Sequence, residues 1–191
     1  MYLSKDGGRT WPQSWDLPDG IDFRFVTAFG DGGLLIPEPG IGNLFLTTDG
    51  GVSWKSVQGR CSGDTAAAYA ATADGRELWE ACSASFLDFT PKTLFVSENG
   101  GATWVQKKLP AGLGRAADLV SPTPGTAFLV SDQGAVFITT DEGASWTPIP
   151  GASSFVWLTF TSPSEGWALS ANRTIWVTTD GGRTWVGLGR P

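Results

Sequence analysis

The chain of 191 residues has no histidine, one methionine, two tyrosines and two cysteines. Without histidine there is no Ser-His-Asp or Cys-His constellation for nucleophilic catalysis. Cys61 and Cys82 stand 21 residues apart with no CxxC spacing, which excludes a zinc site. The pair flanks one expected hairpin, and two readings stay open: two reduced core thiols or one disulfide. Basic residues are few, 13 Lys and Arg against 19 Asp and Glu, for a net charge of −6. That balance argues against a nucleic-acid partner, which needs a basic stripe to meet the phosphates. No run of 18 apolar residues is present, so no membrane span is expected. The start, Met1 to Asp6, lacks a basic-then-apolar leader. An export signal was removed or never present, or the chain begins inside a larger protein. There is no P-loop and no GxGxxG on a strand–helix turn, so no nucleotide is expected, and no cofactor or metal is assigned.

What the chain does have is 26 glycines and 10 tryptophans with only 17% charged residues, the composition of an all-β protein of short strands and many turns. One octapeptide recurs five times: Ser4–Trp11, Thr47–Trp54, Ser97–Trp104, Thr139–Trp146 and Thr178–Trp185. Its pattern is [S/T]-x-[D/N]-x-G-x-[S/T]-W. The third position is Asp6, Asp49, Asn99, Asp141 and Asp180, in steps of 43, 50, 42 and 39 residues, and the eighth is Trp11, Trp54, Trp104, Trp146 and Trp185. Asp or Asn followed by Gly is turn chemistry: the side chain accepts backbone N–H groups and glycine supplies positive φ. The flanking hydroxyls close the same small network. Each later copy follows an apolar strand such as Leu94-Phe95-Val96. The octad therefore reads as a hairpin tip with its tryptophan buried beneath it as a plug.

These octads resemble the Asp-box, or BNR repeat, of β-propellers, and the resemblance covers essentially the entire chain. It implies that each box joins the third and fourth strands of a four-stranded blade. The intervening sequence fits: Phe155–Phe160, Gly166–Ser170, Thr174–Thr178 and Trp185–Leu188 read as the four strands of the last repeat. The expected fold is an all-β propeller of four complete antiparallel blades, about 19–58, 59–110, 111–150 and 151–191, plus an outer half blade over 1–18, in a single propeller region. Such an array does not close a usual ring. The expectation is a fragment of a longer propeller, or a chain completed by self-association, with the fragment preferred.

Every polar atom of a box has a local task in its turn, so the five boxes read as structural. The resemblance extends to sialidases, which implies a tyrosine nucleophile, an arginine trio and an aspartate acid. Only Tyr2 and Tyr69 are available, and Phe23-Arg24-Phe25-Val26 is a poor match to the Phe-Arg-Ile-Pro that opens a sialidase. Two-carboxylate glycoside hydrolysis needs paired acids in one cleft. Glu38, Asp64, Glu80, Asp88, Asp118 and Glu165 are candidates, and their spacing singles out no pair. Gly166-Trp167-Ala168-Leu169, preceded by Phe160 to Glu165, resembles bacterial propellers related to photosystem II assembly factors. Sortilin-like receptors use the same repeats. Both likenesses imply binding without catalysis. The reading is a non-catalytic, extracytoplasmic module that binds a protein or glycan, with a fragment of a glycoside hydrolase as the alternative. The fourth-to-first and second-to-third strand connections form the expected ligand face. Ser83 to Lys92, its longest loop, carries Phe86, Asp88 and Phe89, while Arg60, Arg115 and Arg173 project from the same side.

Overall fold

A computed structural model describes residues 2–4, 9–11, 13–14, 26–30, 32–38, 42–61, 66–85, 88–152 and 154–189. Four four-stranded antiparallel sheets follow one another along the chain, each in simple up-and-down order. Blade one holds β3 (Thr27–Phe29), β4 (Gly33–Pro37), β5 (Asn43–Thr47) and β6 (Lys55–Gln58). Blade two holds β7 (Ala66–Ala71), β8 (Leu78–Ser85), β9 (Asp88–Ser97) and β10 (Val105–Lys107). Blade three runs through β11 (Ala116–Thr123), β12 (Thr126–Ser131), β13 (Val136–Thr139) and β14 (Thr147–Pro148). Blade four runs through β15 (Phe155–Phe160), β16 (Gly166–Ser170), β17 (Ile175–Thr178) and β18 (Val186–Gly189). A separate two-stranded hairpin pairs β1 (Tyr2–Leu3) with β2 (Gln13–Ser14) around the first octad. The sheets form a propeller that is not closed, as four blades plus the expected outer half.

The innermost strands β3, β7, β11 and β15 are neighbours in succession. Apolar side chains fill the spaces between blades in three clusters, centred on Leu35 and Leu78, on Trp79 and Leu129, and on Phe128 and Phe155. Second strands such as Thr126–Ser131 are buried almost throughout. In blades two and three a neighbouring blade covers each face of the second strand, so continuous apolar runs replace the alternation of a half-exposed strand, whereas β16 alternates buried and exposed.

The cysteines form a disulfide, with Cα atoms 5.2 Å apart. It ties the segment after β6 to the middle of β8. One expectation is corrected here. Ser83 to Lys92 is not a loop, because β8 and β9 stay paired through Ser83↔Pro91 and Ser85↔Asp88. Two register shifts near Ser83 absorb the irregularity, which lets the strands continue past the polar residues and the proline.

Candidate functional site

The octads are the most regular feature. In Thr47–Trp54 the Thr47 hydroxyl accepts the N–H groups of Asp49 (3.3 Å) and Gly51 (3.0 Å) and donates to Asp49 Oδ1 (2.8 Å). Asp49 in turn accepts the Ser53 N–H (2.9 Å) and the Ser53 hydroxyl (2.6 Å). The same bonds recur around Asp141 and Asp180. Asn99 keeps the pattern with its amide donating to the Thr103 hydroxyl. The seventh-position hydroxyls and N–H groups hold the Asp49, Asp141 and Asp180 carboxyls down at about 2. With their acceptor capacity committed to the turn, these acids serve architecture. Asp6 lies outside the described residues.

The octad tryptophans are not fully buried plugs. Trp54, Trp104, Trp146 and Trp185 are half-buried, because two of them span the seam to the preceding blade. Trp104 donates its indole N–H to the Gln58 carbonyl (3.0 Å) and Trp146 to that of Lys108 (2.7 Å). Each acceptor lies four residues past the previous octad's tryptophan. Trp185 instead bonds Gly182 of its own turn at 3.1 Å. The Trp54 nitrogen is buried and meets no acceptor among the described residues; the corresponding carbonyl is that of Trp15, which lies outside them. Further bonds reinforce the seams, from Lys108 N to Gly143 O (3.2 Å) and from Lys107 to Glu142 (3.2 Å). Glu77 joins blades two and three by accepting the Trp79 indole N–H (2.7 Å) and the Gly125 N–H (2.8 Å). Burial raises its pKa.

All four innermost strands converge on one cavity of about 520 Å³. Its walls include Val26, Ala70, Leu119, Leu158 and Phe160, and it extends to the first-to-second-strand turns at Gly30, Ala73, Pro122 and Pro163. Among the described lining residues the one ionisable side chain is Asp118. Its oxygens accept the N–H groups of Leu119 (2.9 Å) and, across the seam, Leu158 (3.2 Å). Burial outweighs those bonds and pushes its carboxyl up to about 6. Trp157, whose indole is half exposed, stands at the register position in β15 that Asp118 holds in β11. Sequence reasoning placed Asp118 among the loose acids and missed Trp157. The available signal was an aspartate within the otherwise apolar run Ala116–Val120.

Of the expected ligand-face residues, the described arginines Arg60, Arg115 and Arg173 lie away from this cavity's lining. Arg60 is exposed in the linker after β6, its guanidinium 5.6 Å from the Phe95 ring centre. Arg115 is exposed just before β11, its carbonyl accepting the Asp132 N–H. Arg173 is exposed in the β16–β17 turn with φ of 66°. Phe86 lies outside the described residues, and so do the side chains of Asp88 and Phe89, whose backbones belong to β9. Glu80, like Glu77, is buried, and it is fully enclosed. One oxygen accepts the Arg60 and Cys61 N–H groups (2.5 and 3.3 Å), and the other meets no hydrogen-bond partner among the described residues. Burial pushes its carboxyl up to about 7.

This is the architecture of a β-propeller. No family model matches the chain, and no curated protein matches it. Among solved structures it is similar to a YCF48 bound to D1 peptide, with a TM-score of 0.56, 19% identity, and coverage of 86% of this chain and 54% of that one. YCF48 from Cyanidioschyzon merolae gives 0.55 and 17%, over 92% and 58%. The GH74 enzyme of Niastella koreensis gives 0.61 and 16%, over 84% and 23%, and the GH74 xyloglucanase of Xanthomonas campestris 0.56 and 16%, over 84% and 29%. At these identities the likeness is one of fold. The chain spans little more than half the length of the YCF48 structures and less than a third of the GH74 ones.

Proposed function

We propose that the chain is a non-catalytic propeller module of the Asp-box type that binds an extended segment of another protein at the cavity ringed by its innermost strands. The observation that carries this reading is the cavity's chemistry: apolar side chains mixed with the hydroxyls of Thr27, Ser121 and Thr159, the half-exposed Trp157, and Asp118 as the ionisable group among the described lining residues. Two-carboxylate chemistry needs a facing partner, and no second carboxylate faces Asp118 among those residues. An ionised Asp118 suits a lysine or amino group within an otherwise apolar peptide. The YCF48 structure with a bound peptide supports the same use of the fold. The buried disulfide supports an extracytoplasmic location.

Panning a random peptide display library on the purified chain at pH 8 tests the proposal. Enriched sequences should carry apolar residues with one basic group, and Asp118→Asn and Trp157→Ala should each lose the binding. Under the alternative, a fragment of a glycoside hydrolase, no peptide is enriched and soluble polysaccharides are turned over with release of reducing ends. That result would overturn the reading.

A further inference from the structure

Glu80 breaks a packing rule that the other three blades keep. Every second strand sets one residue opposite the aromatic that stands two places before its octad: Ile36 opposite Phe45, Glu80 opposite Phe95, Leu129 opposite Phe137 and Ala168 opposite Trp176. All four are buried, and in blade two the residue is an acid. An aliphatic side chain fills such a place without electrostatic cost, whereas an enclosed carboxyl short of partners is destabilising. An acid where its sister blades hold aliphatic residues calls for a chemical reason.

The chemistry beside it is the disulfide. Leu78, Glu80 and Cys82 alternate along β8 and so share the face turned toward blade one, where Leu78 and Cys82 pack with Leu35, Leu44 and Cys61. A carboxyl oxygen of Glu80 and the two sulfurs lie within 4.8 Å of one another. The carboxyl is unevenly bonded. Oε2 accepts the Arg60 and Cys61 N–H groups, and Oε1, equally enclosed, meets no donor among the described residues. Gly59 leaves no room for another group there, since a Cβ added to it would run into Oε1 and into the Gly42 carbonyl. From the flanking strands Glu80 is faced by its cross-strand partners, Tyr69 of β7 and Phe95 of β9, and from the linker by Arg60. Of these groups Arg60 and Tyr69 are the ionisable ones.

A disulfide sulfur carries no hydrogen and can donate nothing to Oε1. A thiol can. Reduction therefore places S–H donors beside the orphan oxygen, and donors of that kind favour the carboxylate over the acid.

We propose that Cys61, Cys82 and Glu80 form a proton-coupled redox site, in which reduction of the disulfide by a dithiol turns Glu80 from a neutral acid into a carboxylate. The dithiol delivers two electrons and two protons to the S–S bond and closes to its own disulfide. The new S–H groups face Glu80, whose proton leaves to solvent. One proton is released for each disulfide reduced, so the site is more readily reduced as pH rises. With the disulfide intact, burial holds the Glu80 carboxyl up at about 7 against its ordinary value of 4.5, which sets the pH window of the effect.

Equilibrating the full chain with mixtures of dithiothreitol and its cyclic disulfide from about pH 5 to 7 tests this, with thiols counted by mass after alkylation. Both couples take up equal numbers of protons and electrons in this range, so an uncoupled disulfide gives a constant that does not change with pH. In the wild type the constant for reduction should rise by up to about tenfold per pH unit, and in Glu80→Gln it should be flat. A flat wild-type profile overturns the proposal, and so does a slope that Glu80→Gln retains. Should Glu80→Gln lack the wild-type circular dichroism, an indicator dye in weakly buffered solution near pH 6 reads the proton directly. Reducing the wild type should then release about one proton per disulfide, and no release overturns the proposal.

Discussion

The indole N–H of Trp146 meets the carbonyl of Lys108 at 2.7 Å, across the boundary between the third blade and the second. The same ring lies edge-on to Trp79, 6.4 Å between centres. Trp146→Phe keeps a ring in place and removes the donor, so it should cost about 1 kcal/mol. Trp104→Phe should behave alike. Denaturant unfolding followed by circular dichroism gives the number; no change in either variant would mean that the seams are held by packing alone.

Glu80 carries a pH dependence of definite sign. Below the unfolded value near 4.5 both states hold the proton and the group is neutral in its effect. As pH rises towards about 7, the unfolded chain releases its proton first, so stability falls across that window and then levels off. The loss is roughly 3 kcal/mol. Glu80→Gln keeps an acceptor for the Arg60 and Cys61 N–H groups and should lessen the slope by this amount, leaving the part that Asp118 and Glu77 contribute and a variant more stable than the wild type at pH 8. Melting temperatures from pH 4 to 8 compare the two; parallel curves would refute the assignment.

The octad acids act in the opposite direction. Their carboxyls are held near 2, so their contribution is present above the unfolded value near 4 and is lost as pH falls from 4 towards 2. Asn99 shows that an amide fits this turn. Replacing Asp49, Asp141 and Asp180 together by Asn should flatten the acid limb of the stability profile while leaving the fold intact. An unchanged acid midpoint counts against the turn network as its source.

Gly112 and Gly134 share a left-handed backbone, φ of 76° and 78°, in different surroundings. A Cβ at Gly112 meets nothing within 4 Å, whereas one at Gly134 would stand 2.2 Å from the Ser154 Cα. Gly112→Ala should cost about 1 kcal/mol from conformation alone. Gly134→Ala should cost at least about 3 kcal/mol, because backbone must move. Equal losses in thermal unfolding would show that the approach of Ser154 is unimportant.

Much of this architecture is legible from the octad, because an Asp- or Asn-containing turn with glycine at its fifth place is a local device whose hydrogen bonds close within eight residues. The strands of blades two and three follow from apolar runs that both neighbouring blades bury. Contacts between blades are harder to read. The acceptors for Trp104 and Trp146 are backbone carbonyls 46 and 38 residues away, and a carbonyl has no side-chain signature. Glu80 and Asp118 look like solvated acids until the disulfide segment and the neighbouring innermost strand close around them. Ser83 to Lys92 reads as a loop from its serines and proline, although the pairing begun in the apolar half of β8 carries on through them.

In every complete blade a backbone bond links the fourth octad residue to the first turn of the same sheet: Gly50 to Gly32, Gly100 to Arg76, Glu142 to Gly125 and Gly181 to Ser164. One rim of the molecule is in this way cross-stitched at a fixed height. Insertions there would tear a bond in the blade that received them, so growth in loop length belongs to the other rim. The β8–β9 hairpin, whose strands of 8 and 10 residues are the longest pair, extends on that rim while its own blade keeps the stitch, and new recognition elements are best grafted beside it.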